Sequence, residues 1–186
     1  MMSEPDDNAP ATAEPLRLTT EERAQFAPVL SRYLEVQRAL AEDDQAGASA
    51  AAQELVDAVS GLVAPPTASQ AWPSLAMELT DHAGRVAAST SIESARAGFE
   101  PLSARIEDLL ARVGNPLDQP VQVAFCPMAN RNHGARWVQS DERIDNAYFG
   151  ATMRTCGDVV DTVDPGTTLD PGPRRVSPTP HDGHDH

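Results

Sequence analysis

Apolar residues recur every three or four positions along most of residues 20–113, a spacing typical of amphipathic helices. The pattern predicts four helical segments, at about residues 20–42, 44–62, 69–88 and 92–113. The fourth segment is the most regular, with apolar residues at Ile92, Ala95, Phe99, Leu102, Ile106, Leu109 and Val113. Because the connections are short, neighbouring helices are expected to be antiparallel. The sequence therefore predicts a mainly α fold: an antiparallel up-and-down four-helix bundle, with a mixed extended and helical C-terminal extension packed on it.

Individual residues predict where these helices begin. Pro28 either kinks the first segment or marks its true start, because proline fits the first turn of a helix but not its interior. Asp43 or Asp44 can cap the second helix. Thr90 and Glu93 have the spacing of a capping box for the fourth helix.

The pattern changes after the fourth helix. The stretch "VQVAFCPM" alternates apolar and polar residues before its proline, which predicts an extended segment at 121–128. A short helical turn is expected to begin near Ser140 or Asp141, and "AYFGATMRTCG" to end in a turn closed by Gly157. So short an extended segment must pack on the helices to be stable.

Three parts of the chain differ in composition. Residues 1–18 are acidic and rich in proline and alanine, and we expect a disordered leader there. Residues 19–163 are expected to form the helical-bundle domain, which includes a Cys/Met motif at 121–160. Residues 164–186 are rich in proline and glycine and end in histidine and aspartate, and we expect a disordered tail.

The formal charge of −14 narrows the classes of partner. An acidic chain repels nucleic acid and anionic membrane surfaces, so neither is an expected partner. No apolar run approaches the roughly 18 residues of a membrane span, and the start of the chain has no pattern of a signal peptide. No combination of nucleophile, base and acid is recognisable, so we do not expect an enzyme.

Both cysteines of the chain lie close to methionines, in Cys126-Pro127-Met128 and in Met153-Arg154-Thr155-Cys156. Residues two apart share a side in an extended segment, and residues three apart share a face in a helical turn. Thiolate and thioether sulfurs are the ligands that Cu(I) prefers, whereas zinc sites use cysteine and histidine. Two interpretations therefore remain open: a soft-metal site, or a Cys126–Cys156 disulfide in which the methionines only fill the core.

Four histidines are possible further metal ligands, and three aromatic residues of the motif have a predicted packing role. His133 is a possible additional ligand, or a solvated loop residue. His181, His184 and His186 alternate with aspartates and would form a weak metal site in the tail, or simply a polar terminus. The aromatic residues of the motif are expected to dock the extension on the helices; they are Trp137, Tyr148 and Phe149.

The run "CPMA...GARWVQSDERIDNAYFGATMRTCG" resembles the signature of an uncharacterised bacterial domain. That domain occurs alone or at the C-terminus of periplasmic adaptor subunits of Cus-type heavy-metal efflux systems. The helical stretches at 33–59 and 91–106 resemble it as well, so the likeness covers about residues 25–160. Its members usually have proline where this chain has Ala147. "FCPM" is also similar to the Tyr-x-Cys-Pro-Met-His motif of heavy-metal-binding modules, with Ala129 in place of the histidine.

The resemblance implies an exported, periplasmic setting and a role in copper or silver handling, although the chain shows no signal peptide and a cytoplasmic location stays open. It favours Cu(I) or Ag(I) as the cofactor, with Cys126, Met128, Met153 and Cys156 as ligands. The expected partner is an efflux adaptor or another metallochaperone. The alternative is a structural or interaction module held by a Cys126–Cys156 disulfide without a metal. A weaker possibility is metal buffering through the His/Asp tail.

Overall fold

The computed structural model describes residues 14–170, which form a mainly helical fold that ends in a small antiparallel sheet. The elements are α1 (Thr20–Ala24), α2 (Ala27–Ala41), α3 (Gln45–Gly61), a 3-10 turn (Pro66–Ala68), α4 (Trp72–Ala87), α5 (Ile92–Arg112), β1 (Val121–Cys126), a short turn (Ala129–Asn132), β2 (Ala135–Gln139), a second 3-10 turn (Gly150–Thr152) and β3 (Asp158–Val163). The prediction of a mainly α fold is confirmed. The up-and-down four-helix bundle stays a prediction.

Proline and polar caps set the helix boundaries. The first predicted segment is divided in two, because Pro28 lies in the first turn of α2, where its missing N–H costs nothing. Asp44 caps α3 by accepting a hydrogen bond from Gly47 N. The capping box predicted for α5 is wrong by one residue: Ser91 and Ser94 form it, since a hydroxyl oxygen serves the exposed N–H groups as well as a carboxylate does.

Each of the four long helices packs against the next one along the chain, and α5 also contacts α2 and β2. The predicted apolar positions of α5 from Ala95 to Val113 are buried in a common core with those of α2, α3 and α4. The strong burial explains why the three- and four-residue periodicity predicted these helices well. Pro101 lies inside α5 without ending it.

The sheet has the order β2-β1-β3 and both pairings are antiparallel. The predicted extended segment ends at Cys126, because Pro127 and Met128 already belong to the following turn. No strand was predicted for residues 135–139 or 158–163. In β3 only Val163 is buried, so this strand shows no alternation that a sequence pattern could reveal.

Side chains of α2 and α5 hold the sheet on the helices. The Tyr33 hydroxyl lies 2.8 Å from Ser103 Oγ and accepts a hydrogen bond of 3.0 Å from Val138 N in β2. Phe99 of α5 stacks on Tyr33, with 5.3 Å between ring centroids, and contacts Tyr148 at 5.5 Å. Arg136 of β2 donates to Glu107 of α5. The sheet is therefore fixed to the helices by both rings and hydrogen bonds.

The ends of the described chain pack on the C-terminal end of α5. Leu18 is buried and Leu16 N donates to Arg112 O, although both residues fall within the predicted disordered leader. Leu169 is also buried and its N–H donates to Leu110 O, within the predicted disordered tail. Apolar side chains at these positions extend the ordered structure beyond the predicted limits. The remainder of the leader and tail, residues 1–13 and 171–186, lies outside the described residues.

Across residues 14–170, none of the helices combines the length and the apolar character that crossing a membrane requires.

Candidate functional site

The two cysteines meet at one end of the sheet. Cys126 ends β1, and Cys156 lies two residues before β3. Phe125 pairs with Asp158, so the same register continued by one step brings Cys126 beside Gly157 and next to Cys156. The two Sγ atoms lie 2.9 Å apart and both thiols are free. The fold thus joins two residues that are thirty positions apart in the chain.

Gly157 allows this close approach. Its φ of +121° is accessible to glycine but not to residues with a side chain. A Cβ at this position would lie 2.7 Å from Phe125 O and 3.2 Å from Trp137 Cη2. Any other residue would therefore push the Cys156 segment away from β1. The predicted turn closed by Gly157 is confirmed, since Cys156 N donates to Met153 O at 3.0 Å just before it.

The environment of the pair keeps Cys156 neutral. Cys126 is completely buried, and Cys156 is partly exposed. The hydrogen bond with Cys126, followed by burial, raises the pKa of the Cys156 thiol to about 11. At neutral pH Cys156 is a thiol, so a metal ion that binds its sulfur must displace a proton.

The two methionines of the motif differ in position. Met153 is partly buried and belongs to the same turn as Cys156. Met128 is 48% exposed and has helix-like backbone angles (φ −86°, ψ −17°). The extended geometry expected for residues 126–128 is therefore wrong, because the chain leaves the sheet at Pro127. Met128 is exposed in the turn that follows β1. Met153 is partly buried and lies three residues before Cys156, the partly buried thiol.

A left-handed turn connects β1 to β2. Three successive residues have positive φ: Asn130 (52°), Arg131 (55°) and Asn132 (65°). Asparagine tolerates this conformation better than most residues, which explains two of the three positions. His133, the possible additional ligand, follows this turn and is exposed. The two asparagines of "NRNHG" are the sequence signal from which this turn could have been predicted.

An ionic clamp holds the segment before Cys156 on the helices. Arg96 of α5 donates to Ala147 O (2.8 Å), to Leu40 O (2.9 Å) and to Asp43 Oδ1 (2.7 Å). Asp43 Oδ2 in turn accepts a hydrogen bond of 2.9 Å from Ala151 N. The hydrogen bond from Ala151, followed by that from Arg96, lowers the pKa of Asp43. The α2–α3 connection is thereby coupled to the turn that leads to Cys156.

Buried glutamines organise the loop between β2 and the second 3-10 turn. Gln139 donates to Asp141 O (2.6 Å) and Arg143 O (2.7 Å), while its Oε1 accepts from Trp137 Nε1 and Asp145 N. Gln37 of α2 donates to Asp145 O at 2.7 Å. These bonds replace the short helical turn predicted near Ser140 and Asp141. Buried polar side chains that bind mainly backbone groups leave no periodic pattern, so the sequence did not reveal these glutamines as part of the site's support.

The aromatic residues of the motif dock it on the core, as predicted. Tyr148 contacts Phe99 of α5 and Trp137 of β2, and its hydroxyl donates to Arg136 O at 2.8 Å. Trp137 is completely buried, and Phe149 is partly buried against the core. These rings therefore anchor the motif on α5 and β2.

Among the predicted ligands, the structure brings the two cysteine sulfurs together. Within residues 14–170, no three side chains among His, Cys, Asp and Glu lie close enough together to hold a metal ion. The thiol pair, with Met153 in the same turn as Cys156 and Met128 in the turn that follows β1, is the donor set that the described fold offers. His181, His184 and His186 of the predicted tail site lie outside the described residues.

Comparison with known proteins finds one similarity, in the helical part of the chain. Residues 29–116 match the model of a family described as a protein of unknown function (DUF3347), a range that covers most of α2 and all of α3 to α5. No curated protein and no solved structure matches the chain. The match agrees with the predicted uncharacterised domain, while the predicted link to efflux adaptors stays a prediction. The helical region is thus similar to the DUF3347 family, and both cysteines lie beyond the matched range.

Proposed function

We propose that this chain binds one monovalent soft metal ion, Cu(I) or Ag(I), between Cys126 Sγ and Cys156 Sγ. The observation that carries the proposal is the 2.9 Å separation of two free thiols that the fold brings together from distant positions. Thiolate ligands suit Cu(I), as they also suit zinc and iron–sulfur clusters, so the number of ligands must distinguish these ions. The proposed function is to bind a metal ion, and it involves no catalysis.

The donor set fits a soft ion better than zinc. Structural zinc sites take four ligands, usually cysteine and histidine, and the described residues bring only two such side chains together. Two sulfurs that flank one ion, at bonds of about 2.3 Å as for zinc, lie roughly 3.5–4.6 Å apart. From 2.9 Å, the pair would open by roughly 0.6–1.7 Å to admit the ion. A low coordination number then leaves room for a thioether as third ligand.

Met153 is the thioether best placed to be that third ligand, because it shares a turn with Cys156 and is partly buried. Met128 is more exposed, and we assign it an auxiliary role, as a first contact for an arriving ion. His133 is exposed at the end of the left-handed turn and would contribute only after that turn rearranged.

The surroundings suit the transfer of an ion between proteins. Thr155, next to Cys156, lines an open cleft of about 700 Å³, whose walls include Asp141, Glu142 and Asp145. Arg143 and Arg154 also line the cleft and Arg154 pairs with Asp145, so the attraction for a cation comes from Asp141, Glu142 and the formal charge of −14. In line with the family resemblance, we propose that the ion passes to or from an efflux adaptor or a metallochaperone in an exported, periplasmic setting.

The same sulfur geometry favours a second candidate function, a structural or interaction module stapled by a disulfide. A disulfide bond is about 2.05 Å long, so the thiols would have to approach by about 0.9 Å. Closing a loop of about thirty residues stabilises a fold by roughly 3–4 kcal/mol. This alternative needs no metal.

A titration distinguishes the two candidates. The protein is reduced, purified without oxygen and titrated with Cu(I) against a competing chelator, together with Cys126→Ser, Cys156→Ser and Met153→Leu. We expect one equivalent of tightly bound Cu(I), at least a hundredfold weaker binding in either serine variant, and about tenfold weaker binding in Met153→Leu. Met77→Leu, which changes an exposed methionine of α4, is the matched control and is expected to bind like the unchanged chain.

Equal affinity in the unchanged chain and both serine variants would refute the proposal. A chain without residues 181–186 tests the tail separately, and its affinity is expected to be unchanged. A thiol count on protein purified without reductant tests the alternative. Full, persistent oxidation of both cysteines together with no Cu(I) binding after reduction would favour the disulfide-stapled module.

A further inference from the structure

Asn146 is completely buried and uses both its side chain and its backbone in hydrogen bonds. Its Nδ2 donates to Cys156 O at 2.8 Å, and its Oδ1 accepts from Tyr148 N (2.8 Å) and Phe149 N (3.1 Å). Its backbone N–H donates to Arg154 O, and its carbonyl accepts from Gly150 N. One residue thus binds both the start and the end of the segment that carries Met153 and Cys156.

The position of Cys156 depends on few other restraints. Its N–H is bound inside its own turn, to Met153 O, and its carbonyl is bound by Asn146. The neighbouring Gly157 allows the chain to lie close to β1, but as a glycine it has no side chain that could hold Cys156 in place. The bond from Asn146 Nδ2 is therefore the side-chain link that reaches Cys156 itself, while the Arg154 side chain forms a second link from this turn through its ion pair with Asp145.

We propose that Asn146 is the positioning residue of the dithiol: by holding the Cys156 carbonyl, it keeps Cys156 Sγ beside Cys126 Sγ. Loss of this bond frees the turn at residues 153–156 and increases the mean distance between the two sulfurs. The inference rests on the cysteine pair being the working site of the proposed function, but its test contains no metal.

The thiol–disulfide equilibrium measures how well the fold holds the two sulfurs together. Oxidised glutathione takes two electrons and two protons from the thiols, so that one protein S–S bond forms, one glutathione S–S bond breaks and two glutathione thiols are released. The equilibrium constant of this exchange rises with the effective concentration of one protein thiol near the other. A loosened turn therefore lowers the constant.

The decisive variant is Asn146→Asp, which keeps an acceptor oxygen for Tyr148 N and Phe149 N but loses the donor to Cys156 O. The chain contains a matched control. Asn115 is also completely buried, donates to Gln119 O and Val163 O, and accepts from Leu117 N, without touching either cysteine. Asn115→Asp therefore suffers the same kind of loss at the opposite end of the sheet.

We expect the equilibrium constant with glutathione to fall at least tenfold in Asn146→Asp and less than twofold in Asn115→Asp, while urea unfolding shows similar destabilisation of both reduced variants. An unchanged constant in Asn146→Asp, or equal falls in the two variants, would overturn the inference. Asn146→Ser provides the same comparison if Asn146→Asp does not fold, because its hydroxyl still offers an acceptor. Absence of Cu(I) binding would refute the proposed function without changing this result.

Discussion

The helical region (residues 27–112) and the sheet region (residues 121–170) are stabilised in different ways. The helices bury continuous stripes of apolar side chains, with the Tyr33–Ser103 pair as a hydrogen bond between side chains inside them. In the sheet region, buried amide side chains bind backbone groups of irregular segments, as Gln139 and Asn146 do. Apolar packing tolerates small shifts, whereas a hydrogen bond is lost when its atoms move by about an ångström.

This difference shows why a site can be built in the smaller region. A pair of sulfurs must be held within a fraction of an ångström to bind an ion or each other. Directional hydrogen bonds to the backbone provide that restraint, and the helical core provides the free energy that keeps the irregular segments folded. The strongest test of this difference between the two regions is a substitution of the residue at which they meet.

Phe99→Ala is expected to have the largest effect. Phe99 is completely buried between Tyr33 and Tyr148, so its loss creates a cavity at the junction and lowers the free energy of unfolding by about 3–5 kcal/mol. Urea denaturation measures the change. The control Met77→Ala alters a side chain that is 69% exposed and should change the free energy by less than about 0.5 kcal/mol. Similar small effects in both would show that the regions do not depend on each other.

Tyr33→Phe is expected to have an intermediate effect, because it removes a hydroxyl but leaves the ring in place. Ser103 Oγ and Val138 N then lose their partner in a buried position, which costs about 1–3 kcal/mol. Amide hydrogen exchange at Val138 should accelerate. In Ser103→Ala the Tyr33 hydroxyl still accepts from Val138 N, so exchange there should change little. Faster exchange in Ser103→Ala alone would contradict the assignment.

Acid is expected to have the smallest and most local effect. The bonds from Ala151 N and Arg96 lower the pKa of Asp43 in the folded chain, so their contribution is present above the unfolded value of about 3.9 and is lost as the pH falls through the lower folded value. Hydrogen exchange at Ala151, corrected for its intrinsic pH dependence, should therefore lose protection below about pH 4. In Asp43→Asn this loss should disappear. A protection factor that does not change down to the pH of global unfolding would contradict the prediction.

The sequence was sufficient to predict the helices but only part of the sheet. Periodicity identified α2 to α5 because each has a buried stripe, and Pro28 correctly offered the start of α2 as one alternative. β3 escaped prediction because it is exposed on both sides except at Val163. Ser91 was missed as a cap because the sequence analysis favoured the stronger-looking pair one residue away.

For the candidate site, which stays a prediction, the sequence suggested residue types but not the geometry. Cysteines and methionines with chelating spacing were visible, whereas the approach of Cys126 and Cys156 depends on the register between β1 and β3. Met128 lies in the turn that begins at Pro127 and has helix-like backbone angles, so it is not in the extended position that the spacing argument required. The sequence showed Asn146 as part of the motif but not its role, because that role depends on the Cys156 carbonyl lying within hydrogen-bond distance.

The two sulfurs do not have equal freedom, since Cys126 ends the central strand of the sheet and Cys156 does not belong to a strand. Cys126 is paired with Ala135 across β2 and is completely buried, so its position is fixed. We therefore expect any widening or closing of the pair to come mainly from a movement of residues 153–157. Nuclear magnetic resonance shifts that accompany such a change should concentrate in those residues and leave residues 121–125 almost unaltered. Under the proposed function, a partner protein would therefore exchange the ion through Cys156 first, while Cys126 still binds it.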